Sequence, residues 1–381
     1  MKNSTFSILT ILLILGFMVS GCANTADTQN DTVQDSPSEV AESAQNADSS
    51  SDTQSADDPF ASLPNPVDAS ELIFGYSGDD PYSTQRRDNF QEACNELGIQ
   101  CVVGEVDQLI EQGVDAIIIN SDCGTSECGS VVGAHNAILT ARDSEIPVFI
   151  LDTTTITDGA FSISIDHTQW AEISLEWMIE KMGGAGDFIY INPGPANDQT
   201  IAIEETLGKY PGINVVDYKI DKYNAHEQLQ ADVESFIANY PDLKAIWTDV
   251  EMMRVVWGLG DLQLEPEDFP LVVCDASKEG LDFWKNNKER NPNFDCIAVV
   301  NPPGIAYDAV YAAFYLLNGC QIDTAVLGGM FEKTLPVAIP VVTDENMQEW
   351  WATVEGEDIE WNTKLDQRMT PLEIREAWFL D

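Results

Sequence analysis

Short polar segments follow apolar runs at intervals along this 381-residue chain. They are rich in Asp, Asn, Ser and Thr, whose side chains form hydrogen bonds. The segments read SGDDPY, NSDCGTS, LDTTT, NPGPANDQ, WTDVE, CDAS and NPPG. If each segment ends a strand of a parallel sheet, they lie at the edge where such sheets bind ligands. These residue types therefore favour hydrogen bonding to a polar ligand.

Motifs that indicate catalysis are absent from the sequence. It contains no G-x-S-x-G and no glycine-rich phosphate loop with its lysine. HEQLQ, at His226, has glutamine where a zinc-binding helix needs a second histidine. Asp79 and Asp80 are adjacent, but 65 acidic residues make adjacency weak support for an acid–base pair. We predict a binding protein without a cofactor, and hydrolysis of glycosides by the pure protein would revive the enzyme hypothesis.

The elements that position these segments follow an α/β pattern. LIFGYS, VDAIIIN and IPVFILD are short apolar runs, typical of strands buried on both faces. Helical patterns lie between them, and Gly98 and Gly113 are placed to end two of those helices. The alternation restarts after Asp166. We therefore predict two doubly wound lobes with parallel sheets.

The first 21 residues predict a signal peptide, with Lys2 before an apolar run from Ile8 to Val19. The stretch from Val19 to Cys22 resembles the lipobox of bacterial lipoproteins, which implies a diacylglycerol on Cys22. Two acyl chains hold a protein stably on a membrane, whereas one chain does so marginally. An ordinary cleaved signal peptide with a chance cysteine is the alternative. Both interpretations place the remaining chain outside the cytoplasm.

Residues 22–68 are dominated by Ser, Asp, Thr, Gln, Ala and Asn, and they predict a disordered tether. The formal net charge of the chain is −47. This charge excludes a generic nucleic-acid binder, because phosphate binding needs a basic surface. It also argues against docking on anionic lipid by charge, so we expect membrane contact through the lipid anchor only.

Seven cysteines remain when Cys22 is assigned to lipid, and an extracellular location permits disulfides. Cys123 and Cys128 share one glycine-containing loop and form the first candidate pair. Cys94 and Cys101 form the second. We expect no metal site, because the three histidines are far apart in the sequence and no C-x-x-C pair occurs.

Six stretches, in the right order and at the right intervals, resemble signature segments of the ribose-binding-like solute-binding proteins of ABC importers. They read VDQLIEQGVDAIIINSD, IPVFILD, LGKYPGI, YPDLKAIWTD, VVNPPGIAYDAV and VVTDENM. The resemblance covers about residues 71–345 and implies the type I periplasmic binding protein fold, with two lobes joined by three crossings. It also implies a monomer with a sugar-like ligand, and an ABC permease with its ATPase as partner. A sensory binding protein without transport is an alternative.

The resemblance and the N-terminal pattern predict the domain boundaries. The predicted units are a signal peptide (1–21), the tether (22–68), lobe one (69–166 plus 302–331), lobe two (167–301 plus 332–350) and a Trp-rich C-terminal extension (351–381). The chain departs from the family between Gly104 and Gln112, where a strand runs almost directly into a shortened helix.

The resemblance also implies a set of ligand-binding residues, carried over position by position. They are Asp80, Tyr82, Ser83, Asn120, Asp152, Thr153, Gln199, Tyr223, Asp249, Asp275 and Asn301. Asn224 competes with Tyr223, and Val250 competes with Asp249, for one position each. In duller interpretations Asp152 and Asp275 cap the loops that follow them and Tyr82 packs between lobes.

The pattern of charge in this set points to the ligand. Thr153 and Gln199 stand where the family has arginine, while several aspartates remain. We therefore expect a cleft of carboxylates without a compensating cation, which is costly unless the ligand donates many hydrogen bonds or carries positive charge. A neutral sugar or polyol is the leading prediction. An amino sugar or aminated cyclitol is the alternative, and an anionic sugar is disfavoured.

Overall fold

The computed structural model describes residues 59–60, 63–78, 83–120, 133–192, 198–220, 226–248, 252–329 and 331–380. Strands and helices alternate through these ranges, which confirms the predicted α/β class. The predicted signal peptide, Cys22, most of the tether and the candidate pair Cys123–Cys128 lie outside the described residues. Within the described ranges, no helix combines the length and the apolar character needed to cross a bilayer.

The strands, in chain order, are β1 (Ile73–Ser77), β2 (Gln100–Val103), β3 (Ala116–Asn120), β4 (Val148–Leu151), β5 (Ala160–Ser164), β6 (Gly186–Asn192), β7 (Ile213–Ile220), β8 (Leu243–Thr248), β9 (Leu271–Val272), β10 (Ala298–Val299), β11 (Thr334–Pro336) and β12 (Val341–Val342). The helices are α1 (Ser83–Leu97), α2 (Val106–Gln112), α3 (Gly133–Asp143), α4 (His167–Lys181), α5 (Asp198–Lys209), α6 (His226–Asn239), α7 (Met252–Asp261), α8 (Lys278–Arg290), α9 (Ile305–Leu317), α10 (Met347–Val354) and α11 (Pro371–Trp378). Short 3₁₀ helices cover Ala69–Glu71 and Pro266–Asp268.

Lobe one contains a parallel sheet whose described strands follow the order β11-β5-β4-β3-β1-β2. Successive side chains of a strand point to opposite faces, so a strand buried on both faces must be apolar throughout. In β3, Ile118 belongs to the hydrophobic cluster that includes α1 and α9. Ile117 and Ile119 belong to the cluster on the other face, with α2 and α3. This burial explains the unbroken apolar run in β3.

Lobe two contains the parallel strands β7-β6-β8-β9. A parallel bridge from Val273 to Ile297 continues this sheet to β10, and β12 pairs antiparallel with β10. In both lobes the described strands are parallel, except for β12, so their carboxyl ends lie at one edge of each sheet. Parallel sheets with helices between the strands confirm the fold class predicted from the alternation.

The chain passes between the lobes after β5, after β10 and after β11. Asp166 lies at the first of these crossings and caps α4. Its Oδ1 accepts from the backbone N–H groups of Thr168 and Gln169. Trp170 packs in the core one turn later.

The third crossing lies later in the chain than the predicted boundary. A boundary between residues 331 and 332 assigns β11 to lobe two. In the structure, β11 pairs in parallel with β5, and Thr334 is opposite Ser162. Lobe one therefore extends through Pro336, because the edge of its sheet is completed by a three-residue strand too short to give a sequence pattern.

The end of the predicted tether already contacts the folded body. The ring centroids of Phe60 and Phe314 on α9 lie 5.7 Å apart. The backbone N–H of Asn65 donates to the carbonyl of Asn318 at 2.8 Å, and that of Val67 donates to the Asn318 side chain. The structured part therefore begins before residue 69, since Phe60 finds apolar partners on α9.

The C-terminal extension contacts both lobes. Trp351 of α10 is buried in the lobe-two core, whereas Ile374 and Trp378 of α11 are buried against lobe one. A capping box begins α11, since the side chains of Thr370 and Glu373 each accept from the other's backbone N–H. The chain therefore passes from lobe two back to lobe one between α10 and α11.

Two disulfides occur among the described residues. Cys94 pairs with Cys101, which confirms the second candidate pair. Cys274 pairs with Cys296, because the topology brings β9 beside β10. The two cysteines are 22 residues apart, and this spacing did not suggest the pairing. Cys320 is a buried free thiol, and burial raises its pKa.

Candidate functional site

Asp152 lies at the centre of a hydrogen-bonded cluster at the carboxyl ends of the lobe-one strands. Its Oδ2 accepts from Nη2 of Arg86 at 2.8 Å and from Nδ2 of Asn301 at 2.7 Å. Its Oδ1 lies 2.9 Å from Nε2 of His167. Arg86 also donates from Nη1 to Oδ1 of Asn120 at 2.7 Å. The structure thus brings together Asn120, Asp152 and Asn301, three of the predicted residues, and we call this group the Asp152 cluster.

The members of the Asp152 cluster come from the ends of different elements. Asn120 ends β3, and Asp152 directly follows β4. The φ of Asp152 is 57°, in the left-handed region that Asp tolerates better than most residues. Arg86 lies in the first turn of α1, His167 begins α4, and Asn301 follows β10 at the second crossing. Both lobes and two crossings therefore contribute to one polar centre.

The charge of Asp152 is set by its neighbours. Burial by itself raises the pKa of a carboxyl group, because the ion loses its hydration. The charges and hydrogen bonds of Arg86 and His167 outweigh that effect and hold the pKa of Asp152 well below its usual range. The Arg86 side chain is fully buried and that of Asp152 is 8% exposed. Asp152 is therefore an ionised, paired carboxylate at neutral pH.

The expectation that the cleft carboxylates lack a compensating cation is wrong. Arg86 pairs with Asp152, and Lys364 of the extension lies 2.7 Å from a carboxylate oxygen of Asp275. Neither cation comes from a loop after a strand: Arg86 belongs to α1 and Lys364 lies between α10 and α11. Comparison of the strand ends alone therefore overestimated the negative charge.

Asp275 is held close to the start of α8. It directly follows Cys274, which forms the disulfide with Cys296. Ser277 caps α8 by accepting from the N–H of Gly280. A Cβ atom on Gly280 would lie 2.0 Å from the carbonyl oxygen of Asp275. A side chain at position 280 would therefore push the loop away. Glycine lets α8 begin against the backbone of Asp275.

A cavity of about 450 Å³ opens beside the Asp152 cluster. Asp152, Thr153 and His167 line it, together with Thr334 on β11. This volume suits a small ligand. Three larger cavities, of about 560, 680 and 810 Å³, contain none of the predicted ligand residues. Because parallel sheets bind ligands at the carboxyl ends of their strands, the cavity beside Asp152 is the candidate ligand space.

Several predicted ligand residues lie outside what the structure describes. These are Asp80, Tyr82, Tyr223 and Asp249. Ser83 begins α1 and Gln199 lies in α5, but their side chains also lie outside the described parts. Their contribution to the site stays a prediction.

The arrangement of charges does not favour a metal ion at the Asp152 cluster. Asp152 and His167 lie within hydrogen-bonding distance, but the Arg86 guanidinium on the same carboxylate would repel a cation. In the part of the chain that the structure describes, no three His, Cys, Asp or Glu side chains are grouped as metal ligands.

Sequence reasoning missed Arg86, His167 and Lys364. Arg86 had a signal, because the chain has only 18 Lys and Arg residues and the pair Arg86-Arg87 follows the first polar segment. His167 had a weaker signal, because it directly follows Asp166, the point where the alternation of strands and helices restarts. Lys364 had no comparable signal, since it lies beyond the segments that carry the family resemblance.

A family model described as a periplasmic binding protein domain matches residues 72–321, more than half of the chain. The chain belongs to the periplasmic binding protein family. This membership and the two parallel sheets agree with the fold expected from the six signature stretches. The family consists of solute-binding proteins, so we refer to this chain below as the binding protein.

Similar proteins support this assignment. A xylitol-binding protein of Mycolicibacterium smegmatis is 24% identical over 270 residues, which cover 68% of this chain and 69% of the relative. An ABC transporter solute-binding protein from Thermobispora bispora superposes with a TM-score of 0.62 and 17% identity, covering 80% of this chain and 94% of that one. One from Actinobacillus succinogenes with bound D-allose gives a TM-score of 0.61 and 15% identity, with 74% and 100% covered. These structures share the fold of the binding protein.

Proposed function

We propose that the binding protein captures a neutral sugar or polyol between its lobes and delivers it to an ABC permease and its ATPase. The observation that carries this proposal is the Asp152 cluster, in which polar groups from both lobes meet at the carboxyl ends of the strands. The similarity to a xylitol-binding protein and to solute-binding proteins of ABC transporters supports the choice of ligand class. We propose a binding role without catalysis.

Hydroxyl groups suit the acceptors of this site. A ligand hydroxyl that donates to the Asp152 carboxylate forms a charge-assisted bond, which contributes about 1.5 to 3 kcal/mol. Micromolar affinity requires about −8 kcal/mol, so a few such bonds and one stacked ring are sufficient. We propose Tyr82 for the ring. Asp80, Ser83, Thr153, Gln199, Tyr223 and Asp249 are proposed as further polar contacts.

The charge balance of the cleft favours an uncharged ligand. Arg86 and Lys364 neutralise Asp152 and Asp275, so an amine is not needed to offset buried negative charge. The specific argument for an amino sugar or aminated cyclitol therefore disappears. An anionic sugar would still meet the carboxylates of Asp152 and Asp275. The cations Arg86 and Lys364 are already paired with them, so neither is available to the anion.

The proposed mechanism is a population shift between open and closed lobes. The ligand contacts both lobes only when they close, so it stabilises the closed state by its difference in affinity for the two states. A permease that recognises the closed state would then receive loaded protein. The same closure would serve a sensory partner, and adjacent permease and ATPase genes would favour transport.

Thermal-shift screening tests the ligand class. The panel contains xylitol, D-arabinose, D-allose and myo-inositol, with D-glucosamine as the amine and D-glucuronate as the acid. We expect a neutral compound to raise the unfolding temperature most, and to be recovered unchanged after incubation. Selective stabilisation by D-glucuronate would contradict the assignment of the site.

We also propose that the mature protein is a monomer, anchored outside the cytoplasm by lipid on Cys22. Cys22→Ser removes the acceptor thiol, so we expect the variant to be released into the medium or periplasm. Fractionation of cells into membrane and soluble material measures this release. A wild-type protein already soluble in vivo would contradict the anchor, while leaving the ligand proposal intact.

A further inference from the structure

The C-terminal extension places a lysine directly on a carboxylate of the predicted cleft. Nζ of Lys364 lies 2.7 Å from Oδ2 and 2.9 Å from Oδ1 of Asp275. The two side chains are 27% and 13% exposed, so solvent screens this pair less than an open surface pair. Lys364 therefore neutralises a carboxylate that family resemblance assigns to the ligand.

Both lobes hold the backbone of Lys364. The side-chain amide of Gln85, on α1 of lobe one, accepts from the Lys364 N–H at 2.8 Å and donates to its carbonyl at 3.1 Å. On the lobe-two side, Lys364 forms an antiparallel β-bridge with Ser277, and the N–H of Leu365 donates to the carbonyl of Ala276 at 2.9 Å. The lysine is thus positioned by contacts that do not depend on its charge.

The residues that follow Lys364 fix the extension against lobe one. Asp366 accepts from the N–H of Gly304 at 2.6 Å and from Nδ2 of Asn89 at 3.0 Å. Arg368 pairs with Glu92 on α1 at 2.7 Å. The extension therefore stays beside α1 through several independent contacts.

Helix α1 contacts both Lys364 and the Asp152 cluster. Gln85 holds the backbone of Lys364, and its neighbour Arg86 pairs with Asp152. Of these two consecutive residues, Gln85 therefore contacts the partner of Asp275, and Arg86 contacts Asp152 itself. This arrangement connects the extension to the candidate ligand site rather than to a remote surface.

We propose that Lys364 is a specificity-determining residue of the cleft, supplied by the C-terminal extension. By neutralising Asp275, it adapts the cleft to uncharged hydroxyl ligands and disfavours amines. The inference rests on the proposed function. If Lys364 loses its charge, the carboxylate of Asp275 becomes available to pair with an amine of a ligand.

Lys364→Met removes the charge while keeping a similar apolar stem, and Lys364→Arg keeps the charge. Lys278→Met is the matched control, because Nζ of Lys278 donates to the carbonyls of Gly356 and Ile359, each at 2.8 Å, and so anchors the extension through bonds separate from the Lys364–Asp275 pair. The double variant Asp275→Asn with Lys364→Met removes both charges. Calorimetry measures dissociation constants for xylitol, D-arabinose, D-allose and myo-inositol and for their amino-deoxy counterparts.

We expect Lys364→Met to shift the ratio of the two dissociation constants at least about tenfold toward the amine. Lys364→Arg, Lys278→Met and the double variant should stay within about twofold to threefold of the wild-type ratio. An unchanged ratio in Lys364→Met, or an equal shift in Lys278→Met, would overturn the inference and leave the proposed function standing. A wild-type protein that binds none of the neutral compounds would overturn both.

Discussion

Replacing Arg86 by methionine is expected to destabilise the binding protein by about 3 to 5 kcal/mol, the usual cost of leaving a buried charge without its partner. The Arg86 side chain is fully buried, and it donates to Asp152 at 2.8 Å and to Asn120 at 2.7 Å. Methionine keeps much of the volume of the stem but supplies neither bond. The unfolding temperature should fall by about 5 to 7 °C, because an unfolding entropy of about 2.1 cal/mol/K per residue over roughly 320 folded residues gives about 1.5 °C per kcal/mol.

The loss of stability in Arg86→Met should decrease as the pH falls. In the wild type the folded-state pKa of Asp152 is depressed, so its pairing stabilises the fold above the unfolded pKa of about 4. That contribution is lost as the pH falls through the lowered folded-state value. In Arg86→Met, burial is opposed by fewer charges and the pKa of Asp152 rises. The difference between the two proteins should therefore be largest at neutral pH and shrink as the pH falls.

Urea unfolding at pH 7 and at lower pH measures this effect, with Arg290→Met as the control. Arg290 pairs with Glu265 at 3.1 Å, but both side chains are more than half exposed, so its loss should cost only about 0 to 1 kcal/mol. Adding Asp152→Asn to Arg86→Met removes the stranded charge and should restore part of the stability. If Arg86→Met costs no more than the control, the account of the Asp152 cluster is refuted.

Three further changes test other parts of the structure. Gly304→Ala should lower the free energy of unfolding by about 1 to 3 kcal/mol, because its Cβ would lie 2.7 Å from Oδ1 of Asp366 in the extension. Gly208→Ala is the control, since its Cβ would meet open space, and it should be neutral or stabilising. Equal effects of the two variants in thermal unfolding would contradict this packing. Replacing both Cys274 and Cys296 by serine should lower the free energy of unfolding by about 2 to 5 kcal/mol, and an unchanged denaturant midpoint would count against this disulfide. Burial raises the pKa of Asp308 well above its usual value, so at a pH above the unfolded-state pKa this carboxyl group destabilises the folded state. Asp308→Asn should therefore stabilise the protein more at pH 8 than at pH 4, and a pH-independent effect would be inconsistent with that burial.

The alternation of elements could be predicted because buried strands and helix ends leave local patterns. The apolar run of β3 and the glycine that ends α2 are such patterns, and Gly113 has the left-handed conformation that a helix end favours. The assignment of β11 to lobe one could not be predicted in the same way, since Thr334–Pro336 is three residues long and its position depends on pairing with β5. Short edge strands are determined by tertiary contacts rather than by their own sequence.

The candidate site was predictable where a side chain lies at, or within two residues of, the carboxyl end of a strand. Asn120, Asp152 and Asn301 all do so, and the structure joins them through hydrogen bonds. Arg86 and Lys364 were not found, because their role depends on how α1 and the extension pack against the strand ends. Charge balance in a cleft is a property of packed elements, so strand-end residues alone led to a cleft without compensating cations and to the argument for an amine ligand.

Small-angle X-ray scattering with and without the neutral sugar or polyol that binds best tests the central claim most directly. If the ligand lies between the two lobes and contacts both, saturation should reduce the radius of gyration, since closure brings the lobes together. Addition of D-glucuronate at the same concentration should leave the radius unchanged. A radius that stays constant while the neutral ligand is fully bound would contradict capture between the lobes.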